Sequence, residues 1–194
     1  MKILVAVPTF ENITPETFKA IYDLHTGDHT VDFDFVKGYD CAVARNKIVD
    51  KTLKGGYDAV LMVDSDVIIP EDTLERFLES PVPICFGLCP RKNTDKRLTT
   101  AYKLGTANYD NAYSYDELNL SRLECRGVGA ACVLIRKEVF EAMKYPYFKY
   151  VTYDDGRLLS EDFYFCEEAR NRGYVIWADT RVRCGHLTRG FQYE

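Results

Sequence analysis

Three places in the chain put groups capable of chemistry at informative spacings. The first is Ala59 to Asp66, AVLMVDSD, where an apolar run meets two carboxylates separated by Ser65. A continuous apolar run of this length reads as a strand buried on both faces. Asp64 and Asp66 then stand at or just past its carboxyl end. Alternate residues of an extended chain point the same way, so both carboxylates can face one spot. Ligands of open α/β sheets bind outside the carboxyl ends of the strands. Paired carboxylates there need a counter-charge, and a divalent metal carrying a diphosphate supplies one. The plainer alternative is a strand end, with Asp66 capping a helix that begins near Pro70.

The second place is Ser160-Glu161-Asp162. Carboxylates in the first turn of a helix are stabilised by its dipole and free amides. That keeps Asp162 ionised at neutral pH, and an ionised carboxylate in a cleft can take the proton of a hydroxyl. The alternative is the ordinary preference of acidic residues for helix starts. The third place is His186, in Cys184-Gly185-His186, close in sequence to Arg181, Arg183 and Arg189. Arginine suits diphosphate recognition. The alternative is a structural histidine beside a solvated strand face.

These residues need strands and helices to hold them. Lys2 to Val7 is a first buried strand, ended by Pro8-Thr9-Phe10-Glu11. Thr14 caps a helix with Pro15 at its first position, running to about Leu24. Val31 to Val36 alternates as a second strand, closed by Gly38-Tyr39-Asp40, and Val43 to Leu53 is helical up to Gly55-Gly56. Strand, helix, strand, helix, strand argues for a parallel sheet with right-handed crossovers. Further on come a helix to about Leu78, a strand from Val82 to Leu88 and a basic loop, Cys89-Pro90-Arg91-Lys92. Leu98 to Leu104 and Ala112 to Leu120 read as antiparallel segments. Arg126 to Arg136 is glycine-punctuated and then β-like. A helix from Lys137 to Met143, an aromatic loop from Tyr145 to Tyr153, a helix capped by Ser160 that runs to Arg172 and is stopped by Gly173, and a strand from Tyr174 to Ala178 complete the reading. The fold class is α/β, a mostly parallel central sheet flanked by helices, with a small antiparallel segment.

With 194 residues, one domain is expected. A net charge of −5 speaks against a nucleic-acid binder. No run approaches transmembrane length and the N-terminus lacks a signal-peptide core, which points to a cytoplasmic protein without an integral membrane segment. The seven cysteines lack zinc-type pairing and read as small buried hydrophobes in a reducing compartment.

The ordered set of buried strand to DxD, glycine-rich β segment, ED at a helix start and late histidine resembles the GT-A nucleotide-sugar glycosyltransferases, most like family 2. The block LSEDFYFCEEARNRGYVIWADTRVRCGH carries the more specific part of the likeness. The resemblance implies a transferase moving a sugar from a UDP- or GDP-sugar to the hydroxyl of a carbohydrate or another acceptor. It implies Mn2+ or Mg2+ held by Asp66 and His186, with Asp64 near the ribose or the metal water shell. Asp162 would be the base of an inverting displacement, with Glu161 placing the acceptor. Pro8, Thr9 and Glu11 would line the nucleoside pocket, and Ser65 would share the donor site with the two aspartates. Arg45 would contact base or diphosphate, and Asp40 would stand in for the family's base-reading acidic pair. Gly129 would pass beneath the donor sugar. Residues 1–90 would then be the nucleotide-binding half and 91–194 the acceptor half, with Ala107 to Tyr115 and Tyr145 to Tyr153 as acceptor walls.

Two other readings compete. A nucleotidyltransferase would carry a glycine-rich basic loop after the first strand, which Pro8-Thr9-Phe10-Glu11 is not. A non-catalytic nucleotide- or sugar-binding module would bind without turnover and would be indifferent to loss of Asp162.

Overall fold

The apolar runs form the middle of one sheet, and the helices cover both its faces. The computed structural model describes residues 1–92, 97–105, 109–188 and 191–193. β1 (Lys2–Thr9) is buried from Ile3 onward and pairs in parallel with β2 (Thr30–Lys37) and β3 (Ala59–Val63). Between them run α1 (Pro15–Tyr22) and α2 (Cys41–Lys54). Thr14 caps α1 by accepting from the Thr17 amide at 3.2 Å, and Asp40 caps α2 by accepting from Val43 at 2.8 Å. Each cap satisfies one orphan amide of its helix.

After β3 the chain makes a short strand, β4 (Val67–Ile68), before α3 (Thr73–Leu78). The helix expected near Pro70 therefore starts at Thr73, whose hydroxyl donates to the Pro70 carbonyl at 2.6 Å. β5 (Ile84–Leu88) begins after Pro83, which has no amide to give to a ladder. β6 (Leu98–Tyr102) and β7 (Ala112–Ser114) pair antiparallel, as expected, and a 3-10 turn spans Tyr115–Glu117. β8 (Arg122–Cys125) follows. The segment from Arg126 to Arg136 is not one strand. It divides into β9 (Gly127–Val128), which pairs with β6, and β10 (Cys132–Arg136), which enters the main sheet.

α4 (Lys137–Glu141), the hairpin β11 (Val151–Thr152) and β12 (Leu158–Leu159), and α5 (Glu161–Arg170) come next. Gly173, at φ +86°, lies beyond α5 in a conformation that favours glycine. The last long strand is β13 (Ile176–Arg183), followed by β14 (Gly185–Thr188) and β15 (Phe191–Tyr193).

Among the described residues the main sheet has seven strands in the order β2-β1-β3-β10-β5-β13-β8. Strands β2, β1, β3, β5 and β13 share one direction, while β10 and β8 run against it. One core lies under α2, α4 and α5, where Ile48, Phe140 and Phe165 pack on Leu4, Met62 and Phe86. The other lies under α1 and α3, with Leu74 and Phe77 on Ile3, Leu61 and Leu134. Six of the seven cysteines are buried, as the composition suggested; Cys41 is exposed at the start of α2.

Candidate active site

The carboxyl end of β3 does not continue straight. The Asp64 amide donates to the Ala131 carbonyl at 2.9 Å, and the Val67 amide donates back to the Asp64 carbonyl at 3.2 Å. The chain therefore turns at Ser65-Asp66. The two carboxylates line one cleft but take different partners.

Asp64 turns inward. Its Oδ1 accepts from Arg45 Nη2 at 2.6 Å. Arg45 rises from the buried face of α2 and is only 2% exposed. Its Nη1 donates to Glu161 Oε1 at 2.6 Å, and Nη2 also reaches the Ala130 carbonyl at 3.0 Å. One guanidinium thus ties the end of β3, the first turn of α5 and the turn before β10. Burial alone would lower the Arg45 pKa, but Asp64 and Glu161 outweigh it and hold the group charged. Burial pushes the Asp64 and Glu161 carboxyls upward, and the Arg45 charge opposes that rise. The Tyr150 hydroxyl adds a hydrogen bond to Glu161.

Asp66 turns outward. Lys92 Nζ lies 2.5 Å from its Oδ2, and His186 Nε2 lies 3.5 Å from its Oδ1. The small sheet of β4 and β14 brings this histidine in: His186 pairs with Val67, and the Leu187 amide donates to the Asp66 carbonyl at 2.9 Å. His186 Nδ1 is 3.1 Å from the Pro90 carbonyl. A carbonyl only accepts, so Nδ1 donates there, and the other ring nitrogen, Nε2, is turned toward Asp66. Burial works against ionisation of Asp66, yet His186 and Lys92 hold its pKa down at about 2.

Asp162 completes the arrangement from α5. The Ser160 hydroxyl and the Phe163 amide, the latter at 2.8 Å, both donate to Oδ1. Ser160 was expected to cap the helix with its side chain; it spends its hydroxyl on Asp162 instead. Oδ2 has the Ala130 amide at 3.4 Å and faces Gly129. A Cβ on Gly129 would lie 3.5 Å from that oxygen, in ordinary contact, and a tight 3.1 Å from the Thr100 Cβ.

Pro8, Thr9, Asp40, Asp64, Ser65 and Asp66 line one cleft of about 260 Å³, together with Cys41 and Lys92. Asp40 is occupied as the α2 cap, and Glu11 is exposed on the loop outside the cleft lining. Arg45 and Glu161, read as contacts to donor and acceptor, are buried against each other. Beside Asp162 a second cavity of about 430 Å³ is walled by Tyr102, Tyr109, Tyr153 and Phe163. It joins the two segments expected as acceptor walls, through Tyr109 and Tyr153. Ala107, Asn108 and Arg189 lie outside the described residues. Lys92 was missed as a site residue. Its signal was present, a basic loop directly after the carboxyl end of a core strand.

Among the described residues no group of three or more His, Cys, Asp or Glu side chains is arranged to hold a metal ion. Asp66 Oδ1 and His186 Nε2 stand 3.5 Å apart, a pair of groups whose chemistry suits a metal, with the other ring nitrogen of the histidine fixed on a carbonyl as outer hydrogen bonds fix a ligand. The charge count agrees. Arg45 and Lys92 face Asp64, Asp66, Glu161 and Asp162, two positive groups against four negative ones. An anionic diphosphate needs added positive charge to enter such a corner. Among the described residues no helix is long and apolar enough to cross a membrane.

No family model matches the chain, and no curated protein matches its sequence. Solved structures do match its fold. The protein A197 from STIV is 19% identical with a TM-score of 0.68, over 97% of this chain and 86% of that one. GalNAc-T7, solved with UDP, GalNAc and Mn2+, is 10% identical with a TM-score of 0.59, over 97% of this chain and 44% of that one. With the sheet order above, these likenesses define a GT-A-like, Rossmann-type α/β fold. At such identities they speak to the fold alone.

Proposed function

We propose that the chain is a glycosyltransferase that moves a sugar from a nucleotide-sugar donor to an acceptor hydroxyl, with inversion. The observation that carries this reading is the meeting of Asp64, Asp66 and His186 with Glu161 and Asp162 at the carboxyl ends of the parallel strands of a GT-A-like fold. The family 2 likeness rests on the order of those motifs. That GalNAc-T7, of like fold, was crystallised with UDP, GalNAc and Mn2+ agrees with it.

In this reading the nucleoside lies along Pro8, Thr9 and Asp40, with Asp64 and Ser65 toward the ribose. Asp66 and His186 would hold Mn2+ or Mg2+, which when bound supplies positive charge to the departing diphosphate. Gly129 leaves room for the donor sugar over the turn before β10. The acceptor hydroxyl enters between the aromatic cavity and Asp162. Its oxygen attacks the anomeric carbon, the bond to the diphosphate oxygen breaks, and the proton passes to Asp162 Oδ2. Ser160 and the Phe163 amide hold the other oxygen, so the base is oriented before the acceptor arrives. Arg45 holds Glu161 and Asp64 and acts as a positioning residue for both halves.

The test is release of nucleoside diphosphate from a panel of UDP- and GDP-sugars in the presence of mono- and disaccharide acceptors, with the product anomer read by NMR. Acceptor-dependent release with inverted product, lost in Asp162→Asn while nucleotide binding persists, is expected. Nucleotide binding without transfer in the parent, indifferent to Asp162→Asn, would overturn the reading in favour of a binding module.

A further inference from the structure

Asp66 is the carboxylate on which the donor-site reading turns, and one of its oxygens is already taken. Lys92 Nζ sits 2.5 Å from Oδ2, on the loop that follows β5. The lysine lines the same cleft as Pro8, Thr9, Asp64, Ser65 and Asp66. Its loop is anchored next to the other candidate ligand, since the neighbouring Pro90 carbonyl holds His186 Nδ1 at 3.1 Å. The loop's further side is held by the Arg91 amide on the Leu98 carbonyl at 3.0 Å. Backbone and histidine are thus fixed, while the ammonium rides on a four-carbon stem with its side chain 38% exposed.

Arg45 offers a contrast. It is a cation locked inside by two carboxylates and a carbonyl, with no way to follow a ligand. Among the described residues Lys92 has one partner carboxylate, and it lines the cleft itself. A divalent cation and an ammonium cannot both hold Asp66 Oδ2 at contact distance. If the cation takes that oxygen, the displaced ammonium is left beside whatever anion accompanied the cation.

We propose that Lys92 is an exchangeable counter-ion of the donor site: it neutralises Asp66 while the cleft is empty and transfers to the donor diphosphate when a metal-bound diphosphate displaces it. This rests on the donor-site reading above and adds a diphosphate-binding residue to it. One consequence is ordered entry. The metal alone must evict a cation and gains nothing in return, whereas metal and diphosphate together give Lys92 a new partner. Binding of the free ion is thereby suppressed in favour of the complex.

The test uses the full chain with Mn2+ alone and with Mn2+ plus inorganic pyrophosphate, so that it does not depend on the nucleobase. Free Mn2+ is read by its EPR signal, and pyrophosphate binding by calorimetry. In Lys92→Met, Mn2+ alone is expected to bind roughly fivefold tighter, the size of one partly exposed ion pair removed. Pyrophosphate with Mn2+ is expected to bind about tenfold weaker, the loss of one charge-assisted hydrogen bond. Lys92→Arg should restore the second effect. Opposite signs for the two ligands are the signature. Unchanged binding of both, or a change of the same sign in both, would overturn the exchange. Asp66→Asn separates the two levels: if it removes Mn2+ binding while Lys92→Met does nothing, only the exchange fails. If Asp66→Asn leaves Mn2+ binding intact, the donor-site reading fails with it. Lys92 is on the surface, so an unchanged melting temperature in both Lys92 variants is expected and confirms that folding is not the cause.

Discussion

Each acidic pair of the site divides in the same way. Asp64 and Glu161 turn inward onto Arg45, where one guanidinium 2% exposed serves both. Asp66 and Asp162 have no such buried guanidinium: the first is on Lys92 and His186, the second over Gly129. The inner pair stitches β3, α2 and α5 into one unit. The outer pair is left with oxygens that can change partners. Under the proposed function the inner charges fix the geometry and the outer ones meet the ligand, and substitutions should sort the same way.

The inner half should break hardest. Arg45→Met leaves the Glu161 carboxylate buried without its partner, and removing one member of a buried ion pair costs about 3–5 kcal/mol. Urea unfolding should show that loss, whereas Asp66→Asn should cost less, about 1–2 kcal/mol once its lowered pKa is discounted for partial exposure. Equal losses would erase the distinction between the halves. Asp162→Asn should lower transfer by about 10²–10⁴-fold, the range of a positioned base, with melting temperature and nucleotide binding near those of the parent. A parallel loss of nucleotide binding would place Asp162 in donor binding instead.

A pH series sharpens the comparison. Asp66 is held at about 2 in the fold, below the ~3.9 of an unfolded chain. Its contribution to stability is present above pH ~4 and fades as pH falls toward about 2. Asp64 and Glu161 are raised by burial, so acid does not act against them in the same sense. In Asp66→Asn the parent's acid loss between those limits should therefore be shallower, as read by melting temperature against pH. The smallest effect belongs to Gly129→Ala. Its Cβ would meet Thr100 at 3.1 Å, a tight but adjustable contact that costs about 1 kcal/mol in unfolding experiments, while transfer falls more than stability does.

The sheet was legible in the sequence because its core strands are unbroken apolar runs, and the α1 and α2 boundaries were legible from their caps and prolines. What could not be read was long-range pairing. Val67–Ile68 is too short to announce a strand, yet it is what draws His186 to Asp66. The turn at Ser65-Asp66 is set by bonds to Ala131 and within the turn itself, so the two aspartates line one cleft but take different partners, which the strand pattern could not show. Arg45 looked like a ligand contact because arginine suits diphosphate; nothing local marked two carboxylates far along the chain as its partners. Ser160, Asp162 and Gly129 lie together as the motif order implied, although the serine serves the aspartate and not the helix end.

The most direct test of the donor site is the melting temperature of the parent and of Asp66→Asn against UDP, GDP, CDP and ADP, each with and without Mn2+. A ligand bound only by the folded state raises that temperature. The account predicts a Mn2+-dependent rise with one of these nucleotides in the parent and its loss in Asp66→Asn. No rise with any of them, or a rise that Asp66→Asn leaves unchanged, would contradict it.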